Sequence, residues 1–435
     1  MPDTSSFLKA EISAETLKKL IPSPPRKSGA RRSRSRSRTA TTLVGLDIQP
    51  GYVSAVQVRV NGSVVVQRAV GAALPPDTVR EGEVLDEQVL SETLRELFRE
   101  GKLDRRVRVG VANQRTVLRT LELPPIPEGK ELDTAVRFQA EDQIPMPLEN
   151  AVLDYQTLGI VETPAGPRQR VVVVAAQKDM VERLMAAVRG AGLRPEGIDL
   201  SAFALIRSLH RSDEQHAGRV FYLNVGGLTN MAIAEGPACR FTRVAAGGLE
   251  SMAADVAERN GIPLAKARDL LAAVDLSEPP AAVMPAQTPT VAEAPAAAEA
   301  PIATEESPVF GPASVEPPTV EQAPAQSLQA AEPSAPREPE IDVRPVLVAG
   351  VREIAGEVRN SLDFHRSQVD GGEVSSVVLS GAALQIAGFA DALRSELSVP
   401  VFTQTVSLGD GAAASSVSPE RLAVAAGLAV EEAPQ

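Results

Sequence analysis

The chain has 435 residues, 43% hydrophobic and 3% aromatic, with no Trp; this length calls for more than one folded unit, and the apolar share excludes a wholly disordered chain. A single cysteine, Cys239, excludes an intramolecular disulfide framework and a thiolate zinc site, and His210, His216 and His365 include no pair at metal-ligand spacing. The net charge of −12 is uneven, because residues 1–40 carry ten Lys or Arg against three acids and residues 275–340 carry eleven acids against Arg337 alone; the acidic remainder argues against a nucleic-acid groove on the folded part.

At the N-terminus, Phe7, Leu8, Ile12, Leu17, Leu20 and Ile21 recur at helical spacing until Pro22 stops them. The run RRSRSRSR from Arg31 to Arg38 follows and stays solvated. An amphipathic helix with a basic run behind it would draw this tail to an anionic membrane surface or a partner. No apolar run reaches the roughly 18 residues a membrane span needs, and the first residues lack the apolar block of a secretion signal, so a cytoplasmic protein is expected.

From Thr41 the pattern becomes strand, turn, strand, turn, strand through TTLVGLDIQPGYVSAVQVRV and GSVVVQRAVGAAL. A helix over Ser91–Glu100 follows, with Ser91 as its expected N-cap. RVRVGVANQRTVLRTLELP reads as a pair of strands, Leu132–Gln143 as a helix stopped by Pro145, and AVLDYQTLGIVE with RQRVVVVAAQ as two more strands. Helices Lys178–Ala191 and Ser201–Leu209 end the first half. The second half repeats the grammar: RVFYLNVGGLTNMAIAEGPACRFTRVAAGG is again strand, glycine turn, strand, turn, strand, and a helix Leu249–Asn260 comes next. Residues 275–340, with fourteen Pro and sixteen Ala, read as a low-complexity insertion between helical flanks. A long helix Val346–Gln368, the strand SSVVLSG and a helix Ile386–Leu397 complete the chain. Two three-stranded meanders in the same setting suggest a duplicated α/β architecture.

Chemistry concentrates at three turns. Asp47 to Tyr52 and Asn224 to Thr229 each end a buried strand in a polar residue and then turn on glycine, which lets backbone N–H groups face an anion. Two such hairpins face to face would clamp phosphates, and a carboxylate at a strand end would hold Mg²⁺. Leu379 to Ala383 is a strand-to-helix turn of small residues. No GxxxxGK[ST] loop is present. Taken one at a time, each turn also reads as an ordinary β-turn.

The order of these turns resembles that of the actin-like ATPase superfamily. LVGLDIQPGYVSAVQV, RFQAEDQIPMPLENAVLDYQTLG, and REIAGEVRNSLDFHRSQ with VSSVVLSGAA resemble the PilM family of type IV pilus assembly, over about residues 42–275 and 342–430. The resemblance implies an actin-like ATPase fold of two lobes with duplicated sheet-and-helix cores. The lobes would be 41–220, with an inserted subdomain at about 121–195, and 221–274 with 341–430. It also implies ATP and Mg²⁺ between the lobes, with Asp47, Gly51 and Tyr52 at the first phosphate hairpin and Asp47 toward the metal. Asn224, Gly226, Gly227 and Thr229 would lie at the second hairpin, Gly247 and Gly248 at the following helix turn, and Gly381 and Ala382 near the adenosine. The implied partner is PilN, an inner-membrane protein whose cytoplasmic N-terminal peptide would dock near Arg119–Leu123 and Phe138–Pro147. That would place the chain with other pilus components at the inner membrane.

Three departures bear on turnover. The family's second hairpin carries an aspartate where this chain has Asn224, its adenosine turn carries glycines where Ala382 and Ala383 stand, and Lys266 and Arg268 occupy the neighbourhood of a ribose-contacting Glu. Three readings stay open: a nucleotide-responsive scaffold, an ATPase that turns over slowly, and a structural adaptor without nucleotide. A sugar-kinase-like enzyme would need a base in a sugar pocket, and no residue is spaced for one.

Overall fold

A strand covered on both faces needs a nearly unbroken apolar run, and Leu43 to Ile48 supplies one interrupted only by Asp47. In the computed structural model, which describes residues 43–60, 63–164, 166–213, 216–277, 341–368, 371–409 and 417–430, this run becomes β1 (Val44–Gln49). The expected tail, residues 1–40, and all but the first residues of the expected 275–340 insertion lie outside the described residues.

The chain turns at Pro50 and Gly51 into β2 (Tyr52–Val60) and returns as β3 (Val64–Ala73), both pairings antiparallel. A ribbon of β4 (Val79–Arg80) and β5 (Glu83–Val84) leads to α1 (Glu87–Gly101). The N-cap of α1 is Asp86, whose carboxylate accepts from the Gln88 and Val89 N–H groups. The expected cap, Ser91, lies one turn inside, and its hydroxyl donates to the Glu87 and Ala187 carbonyls. A carboxylate is the better acceptor for the exposed N–H groups of a first turn. β6 (Arg106–Val111) then runs parallel to β1.

β7 (Val117–Leu123), α2 (Lys130–Gln143), β8 (Ala151–Thr163) and β9 (Gly166–Gln177) build a separate antiparallel sheet of order β7-β9-β8. On one face Leu132, Val136 and Ala140 of α2 pack on Leu121, Val171 and Val173. The expected strand pair in RVRVGVANQRTVLRTLELP is therefore split, β6 joining the first sheet and β7 the inserted one. This inserted layer ends at Gln177, not near 195: α3 (Lys178–Gly190) packs beside α1, and β10 (Arg194–Leu200) lies parallel to β6.

After α4 (Ser201–Leu209) a second sheet repeats the first. β11 (Arg219–Val225), β12 (Thr229–Glu235) and β13 (Ala238–Ala245) form an antiparallel meander. Helices α5 (Leu249–Asn260), α6 (Leu264–Ala272) and α7 (Arg344–Ser367) follow, and β14 (Ser376–Ser380) then lies parallel to β11. A single 3₁₀ turn over Ala382–Gln385 precedes α8 (Phe389–Glu396), so the helix expected from Ile386 starts three residues later, after Gly388. β15 (Val401–Thr403) extends the sheet to the order β13-β12-β11-β14-β15.

The C-terminal segment then leaves the second lobe, against the expectation that 341–430 belongs to it. β16 (Ser407–Leu408) pairs with β3, giving the first sheet the order β10-β6-β1-β2-β3-β16, and α9 (Ala423–Leu428) packs on β1 and α4. All residues of α4 and α9 are buried, and most of their apolar side chains join one cluster fed by both sheets: Val56 and Val66 from the first, Val220 and Ala232 from the second. Small residues make this possible, since a Cβ on Gly427 would overlap the Ala204 carbonyl.

Candidate functional site

The turns after β1 and β11 meet. Asp47, 4% exposed, sits inside β1, two residues before its end, where burial lifts its carboxyl from the ordinary 3.8 to about 7 while the Gln49 hydrogen bond pulls it down. Gln49 Nε2 donates to Asp47 Oδ2 at 2.6 Å, and Gln49 Oε1 accepts the Gly227 N–H at 3.1 Å. One carboxamide therefore bridges the two hairpins. A side chain at Gly226 would displace the Gln49 carboxamide, because a Cβ there would overlap Gln49 Oε1. Across the gap Asn224 Nδ2 donates to Ser380 Oγ at 3.1 Å, while its buried Oδ1 has no partner. Between these groups about 20 Å³ remains, lined among others by Asp47, Asn224, Gly226 and Gly381, which is room for about one water.

Beyond this gap opens a cavity of about 250 Å³. Its lining includes Gly51, Tyr52 and Gly227 from the hairpins, Leu249, Glu250, Arg268 and Leu271 from α5 and α6, and Ala382, Ile386 and Arg421. Arg268 is ion-paired with Glu250. The Arg421 guanidinium lies 4.5 Å from the centre of the Tyr52 ring, and its Nε donates to Gln385 Oε1 at 2.8 Å.

Eight of the residues singled out in the sequence thus line one of the two spaces: Asp47, Gly51, Tyr52, Asn224, Gly226, Gly227, Gly381 and Ala382. Three stand behind the second hairpin instead. Thr229 is fully buried and its hydroxyl donates to the Gly247 carbonyl at 2.6 Å, while Gly248 packs on Gly227. Lys266 is exposed, whereas Arg268 reaches the cavity. Sequence reasoning passed over Gln49, Glu250 and Arg421. Gln49 carried a signal, a long polar side chain inside a turn that wants small residues; Arg421 carried none, being at the opposite end of the chain from Tyr52.

The fit to an adenine nucleotide is therefore divided. The larger cavity, with apolar walls and few polar groups, suits a base and sugar; it is small beside typical ligand pockets of roughly 300–1,000 Å³. The gap between the hairpins, filled by Gln49, does not suit phosphates with a hydrated cation. Asp47 is the one carboxylate lining that gap, and among the described residues no group of three or more His, Cys, Asp or Glu is placed to hold a metal ion.

The family profile described as "Type IV pilus assembly protein PilM" matches residues 45–277, more than half of the chain. The chain belongs to the PilM family. Among solved structures it is similar to the "PilM-PilN type IV pilus biogenesis complex", with 22% identity, 89% of this chain and 97% of that chain covered, and a TM-score of 0.64. It also matches the ethanolamine utilization protein EutJ from Carboxydothermus hydrogenoformans, at 14% identity, 89% and 88% coverage and a TM-score of 0.43. MreB5 of Spiroplasma citri bound to ADP matches at 11% identity, 89% and 95% coverage and a TM-score of 0.43. The fold expected from the turn order, an actin-like ATPase fold, is the one this PilM-family chain shares with the solved PilM-PilN complex. No helix among the described residues is long and apolar enough to cross a membrane.

A second concavity of this PilM-family chain, about 540 Å³, lies where the inserted sheet faces the second lobe. Its walls are two edge strands, β7 with Leu118 and Thr120 and β13 with Arg240 and Phe241, and α7 contributes Phe364 and His365. Phe364 is 55% exposed, its ring 5.9 Å from Phe241. His365 is 2% exposed with neither ring nitrogen partnered; burial and then the charges of Arg219 and Arg240 lower its pKa and keep it neutral. The two stretches marked in the sequence for a peptide part company here. Arg119, Thr120 and Glu122 line the groove, whereas Phe138, 72% exposed, belongs to α2 on the opposite face of the inserted sheet.

Proposed function

We propose that this chain is a binding scaffold of type IV pilus assembly that docks the cytoplasmic N-terminal peptide of a PilN-like inner-membrane protein and takes an adenine nucleotide between its lobes. The peptide half is carried by the groove between β7 and β13. Two edge strands leave backbone N–H and C=O groups for an extended segment, and Phe364 offers an exposed aromatic anchor beside them. The solved PilM-PilN complex, which shares the fold, gives the partner its name. A partner held in the inner membrane would keep the chain at its cytoplasmic side.

The nucleotide half is supported by the 250 Å³ cavity, where Leu249, Leu271, Ala382 and Ile386 would hold a base and Glu250, Arg268 and Arg421 the sugar side. When bound, an adenine nucleotide would touch residues of both lobes and so favour one lobe arrangement over another. Binding, not hydrolysis, is what these residues are arranged for. Asn224 is neutral and hydrogen-bonded to Ser380, so it cannot take a proton from water, and Asp47 is committed to Gln49.

Calorimetry with a synthetic peptide of the PilN-like N-terminus tests the reading. Wild type should bind, and Phe364→Ala should weaken binding by about tenfold, as loss of an aromatic anchor does. Phe138→Ala should leave binding unchanged. Loss with Phe138→Ala alone would move the site to α2, and no binding by wild type would end the proposal.

A further inference from the structure

We infer that Gln49 is the specificity-determining residue of the inter-lobe cleft: its carboxamide occupies the place between the hairpins where phosphates would lie, so the cleft admits the nucleoside part of a ligand and disfavours a triphosphate. This inference rests on the reading that the 250 Å³ cavity takes an adenine nucleotide. It goes beyond that reading by saying which part of the ligand the folded chain accepts.

The geometry argues in three steps. An anion clamped by these turns would need the backbone N–H of the second hairpin, and the Gly227 N–H already donates to Gln49 Oε1 at 3.1 Å. The other end of the same carboxamide is held at 2.6 Å by Asp47, a carboxylate 4% exposed to solvent. An incoming phosphate must therefore break two intramolecular hydrogen bonds. The Gln49 amide lies close to Gly226, and what remains of the gap is about 20 Å³.

Electrostatics points the same way. With Gln49 displaced, the phosphates would face Asp47 at short range, with the neutral Asn224 opposite. The cations nearest the cleft are spoken for: Arg268 is paired with Glu250, and Arg421 lies over Tyr52 and donates to Gln385. Both line the outer cavity, where a nucleoside would lie, and Arg421 lines the gap as well.

The test compares adenosine, AMP and Mg-ATP by calorimetry on wild type, Gln49→Ala and Gln49→Glu, with amide hydrogen exchange on the same proteins. Wild type should bind Mg-ATP no more than about threefold tighter than adenosine, and Gln49→Ala should shift that ratio by about tenfold toward ATP with adenosine affinity nearly unchanged. Gln49→Glu keeps the size and an acceptor for Gly227 but adds charge, and should disfavour ATP at least as strongly as wild type. Exchange of the Gly227 amide should accelerate about tenfold in Gln49→Ala and stay slow in Gln49→Glu. A wild-type preference for ATP of tenfold or more, or a ratio unmoved by Gln49→Ala, overturns the inference. Should none of the three ligands bind any of the proteins while Gly227 exchange responds as stated, the nucleotide reading itself fails and takes the specificity role with it.

Discussion

Asp47 is the residue at which fold and site make opposite demands. A carboxylate in the middle of a buried strand costs stability unless it is protonated or paired, and burial holds its carboxyl near 7 against an ordinary 3.8. The folded state binds this proton more tightly than the unfolded chain. The stabilising contribution is therefore full below about pH 4 and is lost as pH rises through about 7. Asp47→Asn should flatten the pH dependence of the urea midpoint between these values and raise stability at pH 8 by on the order of 1–3 kcal/mol; an unchanged profile would show that Asp47 is ionised and satisfied in the fold. Arg207 makes the converse case. It is 1% exposed, ion-paired with Asp199, and its Nε donates to the Gly427 carbonyl at 3.1 Å. Arg207→Ala should cost about 3–5 kcal/mol because it strands the Asp199 charge, and changing both to apolar residues of similar size should recover most of it, as thermal or urea unfolding would register.

At the scale of elements, the six-residue helix α9 joins the two lobes. Its sequence AVAAGL is poor in bulk because it must lie close to both β1 and α4, and carbonyls at and just past its end are met by buried arginines: Arg207 Nε donates to Gly427 O, and Arg108 Nη1 to Leu428 O at 3.3 Å and Val430 O at 2.6 Å. Gly427→Ala would drive a methyl into the Ala204 carbonyl and should cost about 2–3 kcal/mol in the urea midpoint; a neutral result would mean that α4 and α9 separate readily. Elements of this kind show how far local pattern reaches. The meander β1–β3 and its echo β11–β13 were readable because alternation and glycine turns are local signals. Asp86 displaced Ser91 as cap because the helix began four residues early, which no periodicity marks. β6 and β7 read as a pair of strands in the sequence, yet β6 finds its partners in β1 and β10 and β7 finds its partner in β9. Pairing is decided by distant strands, so the break between them is invisible locally.

Over the whole molecule, the two sheets share one plan, a meander whose first strand also takes a parallel neighbour, and the candidate cleft is where the two first strands end. The described residues on either side of 278–340 lie close together: Arg344 donates to the Asp275 carbonyl at 2.8 Å and to the Leu276 carbonyl at 3.1 Å. With the ends already joined, residues 279–340 should be replaceable by a short Gly-Ser linker, since loop closure depends only weakly on length. The expected result is an unchanged unfolding midpoint and unchanged affinity for the PilN-like peptide; a lower midpoint would give those residues a part in the fold.

The sequence by itself determined the local grammar: strands where β-branched runs alternate, turns where glycine permits them, and family motifs whose order identifies an actin-like PilM chain. It also marked eight residues that line the cleft, because a site built from strand ends and glycine turns leaves a local signature. Tertiary structure alone decided the rest. That Gln49 spans from Asp47 to Gly227, that Arg421 covers Tyr52, that α9 returns to the first sheet, and that β7 and β13 face each other across a groove are contacts between segments far apart in the chain. Their energies depend on shape and burial when the layers pack, and no spacing within one segment encodes them.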